Sequence, residues 1–309
     1  MIERIFNRFF IGIFLVVLSG VCYGFAPVLA VYAYQGGATV SEFVLLRYGF
    51  ASVFFILYML YLFIYKRSFF SMLSKISLAL MLAAGILQAV ASYLYMNSVQ
   101  YVTPGLAAIL FYTYLIWVAV WDLVFNKERL QISGVIGIAL ALIGLALVVG
   151  VSWGKIIPIG IFMGLAAGLA LSGFMMTSNA VTKKLEPIVA SPIICLITTI
   201  PLLLIGSITG TLNFQISTEA WLACAATGIF TAIALFTLLT GIKIVGSTTA
   251  SVLSSFEPVT AVVLSALLLS QKLTALQLLG SVVIVIGVVL VVTSKRSYAL
   301  LQSKALNSD

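Results

Sequence analysis

The sequence contains no histidine. It therefore lacks the side chain that most often serves as general base or metal ligand near neutral pH. Charge is scarce too. Asp, Glu, Lys and Arg make up 8% of the 309 residues, where an ordinary soluble domain carries about a quarter. The three cysteines, Cys22, Cys195 and Cys224, lie far apart, each inside an apolar run and without metal-ligand spacing. They read as buried small residues rather than as a disulfide or a metal set. No glycine-rich loop followed by Lys and Ser/Thr is present to cradle a nucleotide phosphate, which argues against ATP drive within this chain. No cofactor and no metal is expected. An intramembrane enzyme needs paired acids, a Ser or Cys nucleophile beside a base, or a metal; none can be assembled here, so an enzyme is not expected. The net charge of +8 raises the question of a nucleic-acid partner. Such a footprint needs bases clustered on a water-facing surface. Here they sit in short loops between apolar runs, and no nucleic acid is expected.

What the chain has in abundance is apolar length. Hydrophobic residues make up 63% and the mean hydropathy is +1.24. These are the values of an integral membrane protein. Ten runs reach the ~17–25 residues a membrane helix needs. They fall at roughly 10–31, 43–64, 76–96, 104–125, 132–150, 158–178, 189–208, 219–241, 248–269 and 274–293. The first follows Arg4 and Arg8 as a signal peptide would. It continues for about 20 residues without a small-residue cleavage site, so it is expected to stay as a helix. From about Ser294 the tail turns polar and is expected to be loosely ordered.

The basic residues set an orientation. With the N-terminus in the cytoplasm, thirteen fall on the inner side: Arg4, Arg8, Lys66, Arg67, Lys75, Lys127, Arg129, Lys183, Lys184, Lys243, Lys295, Arg296 and Lys304. Only Lys155 and Lys272 fall outside, and Arg47 lies within a helix. This bias supports ten helices with both termini cytoplasmic.

The two halves repeat. Gly12, Ile13, Phe14 and Gly20 match Gly160, Ile161, Phe162 and Gly168 at a constant offset of 148. Ala107, Leu110, Leu130, Gly137 and Gly144 match Ala250, Leu253, Leu273, Gly280 and Gly287 at a constant offset of 143. Each half holds five helices, an odd number, so the second enters the membrane from the opposite side. The expected fold is all-α: two five-helix inverted-topology repeats, an arrangement that places a substrate near the midplane between them. The expected units are a cytoplasmic N-terminus (1–9), a first repeat (10–150), a second repeat (151–293) and a polar cytoplasmic tail (294–309).

One turn stands out. Glu257-Pro258 lies in the ninth run, and an acid at membrane depth is costly enough to mark a site by default. Pro258 has no N–H and clashes with the carbonyl of Ser254, which it is expected to free. Ser247, Ala250, Ser254, Glu257, Ala261 and Ser265 step along one helix face, either a cavity lining or a close helix seam. The repeat maps this face onto Pro104, Ala107, Phe111, Tyr114, Val118 and Asp122, with Tyr114 standing where Glu257 stands. Phe111, Tyr112 and Tyr114, with Tyr93 and Tyr95 nearby, read either as an aromatic wall for a ligand with a cationic or amino group or as membrane anchors. Trp117 and Trp121 read as anchors. Arg47 either snorkels to the outer headgroups or pairs with a carboxylate. Asp122 reads as structural, reaching Lys127 or Arg129. Gln88, Ser92 and Asn97 either line a path or bond neighbouring helices. The candidate substrate-binding residues are Glu257, Ser254, Tyr114, Phe111, Tyr112, Arg47 and Tyr93.

Several short motifs fall in a familiar order: Tyr23-Gly24 in helix 1, Leu46-Arg47-Tyr48 in helix 2, Asn126-Lys127-Glu128-Arg129-Leu130 after helix 4, Phe256-Glu257-Pro258-Val259 in helix 9, and Gly280 with Gly287 in helix 10. In order and spacing the chain resembles the EamA-type family of the drug/metabolite transporter superfamily from about residue 10 to 293. It departs after helix 9, where Ser270-Gln271 stands in the place of Lys127-Glu128. The resemblance implies transport of small metabolites, often export of amino acids or related compounds. The expected protein is a multi-pass secondary transporter of the plasma (inner) membrane. It would export an amino acid or related amine-bearing compound by alternating access, with a proton exchanged at Glu257. An uncoupled facilitator and a flippase for lipid-linked precursors are the alternatives. The expected partners are a small-molecule substrate, the lipid bilayer and protons; nothing in the sequence supports a homo-oligomer.

Overall fold

The computed structural model describes residues 2–65, 74–125, 131–150, 157–270 and 272–306. Lys66, Arg67, Lys127, Arg129, Lys155 and the 126–130 motif lie outside the described residues, as does Gln271. The described elements are twelve helices: α1 (Ile2–Gln35), α2 (Val40–Tyr65), α3 (Lys75–Ser98), α4 (Pro104–Tyr112), α5 (Tyr114–Phe125), α6 (Ile132–Val149), α7 (Pro158–Thr182), α8 (Pro187–Ile208), α9 (Thr218–Val245), α10 (Ser247–Leu253), α11 (Phe256–Leu268) and α12 (Ala275–Leu306). They form ten candidate membrane spans, because α4 with α5 and α10 with α11 each share one span, Pro104–Phe125 and Ser247–Leu268. The expected tail is corrected here: α12 continues to Leu306. No Gly or Pro interrupts residues 294–306, so nothing local stops the helix.

Both internal breaks are supported by hydroxyls. At the fourth span, the Thr113 hydroxyl donates to the Leu110 carbonyl at 2.6 Å. At the ninth, Ser254 Oγ donates to Ala250 O at 2.9 Å and Ser255 Oγ to Val252 O at 2.6 Å. The Ser254 carbonyl is not free as the sequence suggested: it accepts the Glu257 N–H at 3.0 Å. A tightened i→i+3 turn has captured the carbonyl that Pro258 cannot serve.

The packing obeys the exchange of the two halves. α1 packs on α9, and its repeat equivalent α7 packs on α3; α2 packs on α9, and α8 on α3; α6 and α12 pack on each other. That last contact is reciprocal at its glycines. A Cβ added at Gly144 would lie 2.6 Å from the Gly280 carbonyl oxygen, and one at Gly280 would lie 2.6 Å from the Gly144 carbonyl oxygen. Gly137 and Gly287 repeat the relation, again at 2.6 Å each way. The repeat pairs Gly137 with Gly280 and Gly144 with Gly287, so the internal two-fold passes between these four residues. Small residues let the backbones meet where lipid offers no hydrophobic drive to association.

Adding a side chain at this crossing is expected to overpack it by about 1–3 kcal/mol. Thermal unfolding in detergent should show Gly280→Val and Gly144→Val well below the parent protein. Gly49→Ala, where an added Cβ meets nothing within 4 Å, should not fall.

Candidate functional site

A central cavity of about 110 Å³ lies between the halves. Its lining comes from α1, α2, α3, α4, α5, α7, α9 and the Ser254–Glu257 turn. Glu257 and Tyr114 each stand about ten residues from either end of their spans, which at ~1.5 Å per residue is mid-depth. Arg47 and Glu257 both line the cavity. Arg47 does not snorkel. Its Nε donates to Thr231 Oγ1 at 2.9 Å, and its guanidinium lies 5.1 Å from the Tyr23 ring centre and 5.4 Å from that of Tyr48. Two aromatic faces thus stabilise a cation inside the protein. Arg47 and Glu257 feel each other electrostatically, yet among the described residues no ion pair joins them. The cavity keeps the two charges apart.

Part of the remaining wall is neutral and polar, and Val44, Met96, Leu171, Phe174, Met175 and Leu238 make an apolar part. Gln88 Nε2 donates to the Tyr48 hydroxyl at 2.6 Å, and that hydroxyl lies 3.3 Å from Ser92 Oγ. Gln88 Oε1 is buried and has no protein partner among the described residues. Phe111 and Tyr114 close the aromatic side, with the Tyr95 ring centre 4.6 Å from that of Phe111 and tilted by 31°.

The structure brings together Glu257, Ser254, Tyr114, Phe111 and Arg47 on this cavity. Tyr112 does not line it. It is buried beside Tyr114 with ring centres 5.6 Å apart, and its hydroxyl interacts with the Glu257 carboxyl. Tyr93 lines a separate, smaller cavity between α2, α3 and α8, together with Asn97. Sequence reasoning missed Tyr23 and Tyr48 as lining residues. Both adjoin a flagged position, Gly24 and Arg47, and that adjacency was the available signal. The small stripe of the ninth span divides at the break: Ser247, Ala250 and Ser254 are buried, while Ala261 and Ser265 are only half-buried.

On the Ser247 side of Glu257 the described residues pack closely. Every residue of α10 is buried, whereas Pro258 is the one residue of α11 so classed. Asp122 of α5 holds the start of α10. Ser247 Oγ donates to Asp122 Oδ1 and Oδ2 at 3.0 and 2.9 Å, Thr248 N–H donates to Oδ2 at 3.1 Å, and Thr248 Oγ1 donates to the same oxygen. Asn179 Nδ2 of α7 donates to Ser247 Oγ at 3.3 Å. Asp122 thus bonds Ser247 and Thr248; its expected reach to Lys127 or Arg129 falls outside the described residues. Trp121 is corrected from a plain anchor, since its indole N–H donates to Ser172 Oγ at 3.1 Å. Trp117 is exposed. The cysteines are buried thiols.

Two stretches of the chain, residues 10–150 and 158–293, match the EamA-like transporter family. The chain belongs to the EamA-like transporter family. Among its relatives is an uncharacterized transporter of Synechocystis sp., 28% identical over 206 residues. That match covers 62% of this chain and 60% of the relative's length. A solved crystal structure, 18% identical, shares the fold with a TM-score of 0.77 and covers 94% of this chain and 98% of its own. As an EamA-like protein the chain is a multi-pass membrane protein built of two five-helix repeats.

In this EamA-like chain the Asp122 seal should be measurable. Asp122→Ala leaves three donors of α10 without their acceptor, at about 1–3 kcal/mol for each one that finds no other. A thermal unfolding series should place Asp122→Ala lowest and Asp122→Asn between it and the parent, because the amide oxygen still accepts.

Proposed function

We propose that the protein is a secondary transporter of a small amine-bearing metabolite, with an amino acid the favoured class. The carrying observation is the separation of Arg47 and Glu257 across one cavity without an ion pair among the described residues. A zwitterion fits between them, its carboxylate toward Arg47 and its ammonium toward Glu257. The rings of Phe111 and Tyr114 would hold its apolar body. Gln88 Oε1 offers an acceptor to any donor the body carries. At about 110 Å³ the cavity is below the ~300–1,000 Å³ of drug-sized sites, which suits a small metabolite held in an occluded form.

The two repeats would rock about this site to give alternating access. Glu257 would exchange a proton against the substrate's ammonium, making export an antiport. The basic residues support a plasma-membrane orientation with both termini cytoplasmic. The Asp122 seal then faces the cytoplasm, and the loops at 36–39 and 209–217 face outward.

Proteoliposomes with an imposed pH gradient test the coupling. Uptake or efflux by the parent protein should follow the gradient, and Glu257→Gln should lose that dependence with at least a tenfold lower coupled flux. Flux by Glu257→Gln with unchanged pH dependence would remove the antiport and leave an uncoupled facilitator.

A further inference from the structure

The central cavity has a neighbour. A second cavity, of about 40 Å³, lies between the first turn of α2, the end of α3 and the end of α8. These three helix ends share one membrane face, the one carrying the 36–39 and 209–217 loops. Val44, Ser92 and Met96 line both cavities. They are the lining residues that the two cavities share.

We infer that ligand passes between the central cavity and the water on that face through the Val44–Ser92–Met96 neck, and that Met96 is its gate. The outer chamber suits a path. Ser41, Asn97 and Gln100 line it with uncharged hydrogen-bonding groups. They can replace part of a ligand's hydration without trapping it as a full charge does. Toward the opposite face, the apolar groove between α5 and α6 shares no lining residue with the central cavity. There α10 is buried throughout, and Asp122, Ser247, Thr248 and Asn179 are bonded across α5, α7 and α10.

The choice of Met96 follows from the partners. Val44 is buried and β-branched, so it is stiff about its first side-chain torsion. Its wall is pinned as well. The neighbouring Glu42 accepts the Thr39 N–H at 2.7 Å through Oε2 and the Asn213 and Phe214 N–H groups at 2.6 Å each through Oε1. This fixes the start of α2 to the 209–217 loop. Ser92 is too short to span the neck and already sits at hydrogen-bonding distance from Tyr48. Met96 is half-buried, unbranched, and has three rotatable bonds, so a rotamer change alone alters the width. The route serves the transport reading above, but its geometry stands without a known substrate.

The test is labelling by a membrane-impermeant maleimide, applied from the 209–217 loop side to sealed vesicles of the full chain. Cys22, Cys195 and Cys224 are first replaced by alanine. Ser254→Cys reports the central cavity and Asn97→Cys the outer chamber. Both should label with Met96 in place. Met96→Trp should slow labelling at Ser254→Cys at least tenfold and leave Asn97→Cys unchanged, which also shows that the variant is folded. Met96→Ala should speed labelling at Ser254→Cys. Equal labelling of Ser254→Cys in the Met96→Trp and parent backgrounds would overturn the inference, as would its labelling only from the opposite face. No substrate enters this experiment. A failure of the proton-coupled reading would therefore leave its result standing, and its failure would leave that reading intact.

Discussion

A helix that crosses lipid must satisfy its backbone polar groups within the protein, because no water is there to do it. The rest of this structure depends on that constraint at two places. The fourth and ninth spans both break near mid-depth, and both breaks sit beside hydroxyls: Thr113 in one, Ser254 and Ser255 in the other. The Leu110, Ala250, Val252 and Ser254 carbonyls all accept backbone N–H groups through the turns, and the hydroxyls give the first three a second donor. With them, the chain can change direction in the middle of the membrane. The turns place Glu257 and Tyr114 on the central cavity.

The two-fold scaffold carries a one-sided site. The glycine crossing of α6 and α12 is nearly self-reciprocal, and the helix contacts follow the exchange of halves. The charges do not. Arg47 has Cys195 at its repeat position, Glu257 has Tyr114, and Asp122 has Ser265. Asp122 therefore holds the start of α10 with no acid at its repeat-equivalent position.

Ten spans were legible in the sequence because apolar length is a local property. The repeat was legible because Gly and Leu identities hold a constant register. The break in the ninth span was signalled by Pro258; the one in the fourth was not, since that span reads as one continuous apolar run and Thr113 carries no breaker signal. The convergence of Glu257, Ser254, Tyr114 and Phe111 followed from mapping one half onto the other. Tyr93 and Tyr95 show where that method stops. They are two residues apart, about 200° around a helix, and α3 has no strongly amphipathic stripe to say which face turns inward. Tyr95 reached the central cavity and Tyr93 the outer chamber. Glu42 also escaped. Only the fold brings the 209–217 loop to its carboxylate.

The central claim is that Arg47 and Glu257 hold the two ends of one zwitterion. The direct measurement is calorimetric binding to the purified protein. The ligand would be the amino acid that most stabilises it in a thermal-shift panel, run beside its decarboxylated and N-acetylated analogues. The account predicts that Arg47→Met weakens the amino acid at least tenfold and leaves the decarboxylated amine unaffected. It also predicts that Glu257→Gln weakens the amino acid and leaves the N-acetyl analogue unaffected. Binding of the amino acid that is indifferent to Arg47→Met would contradict it.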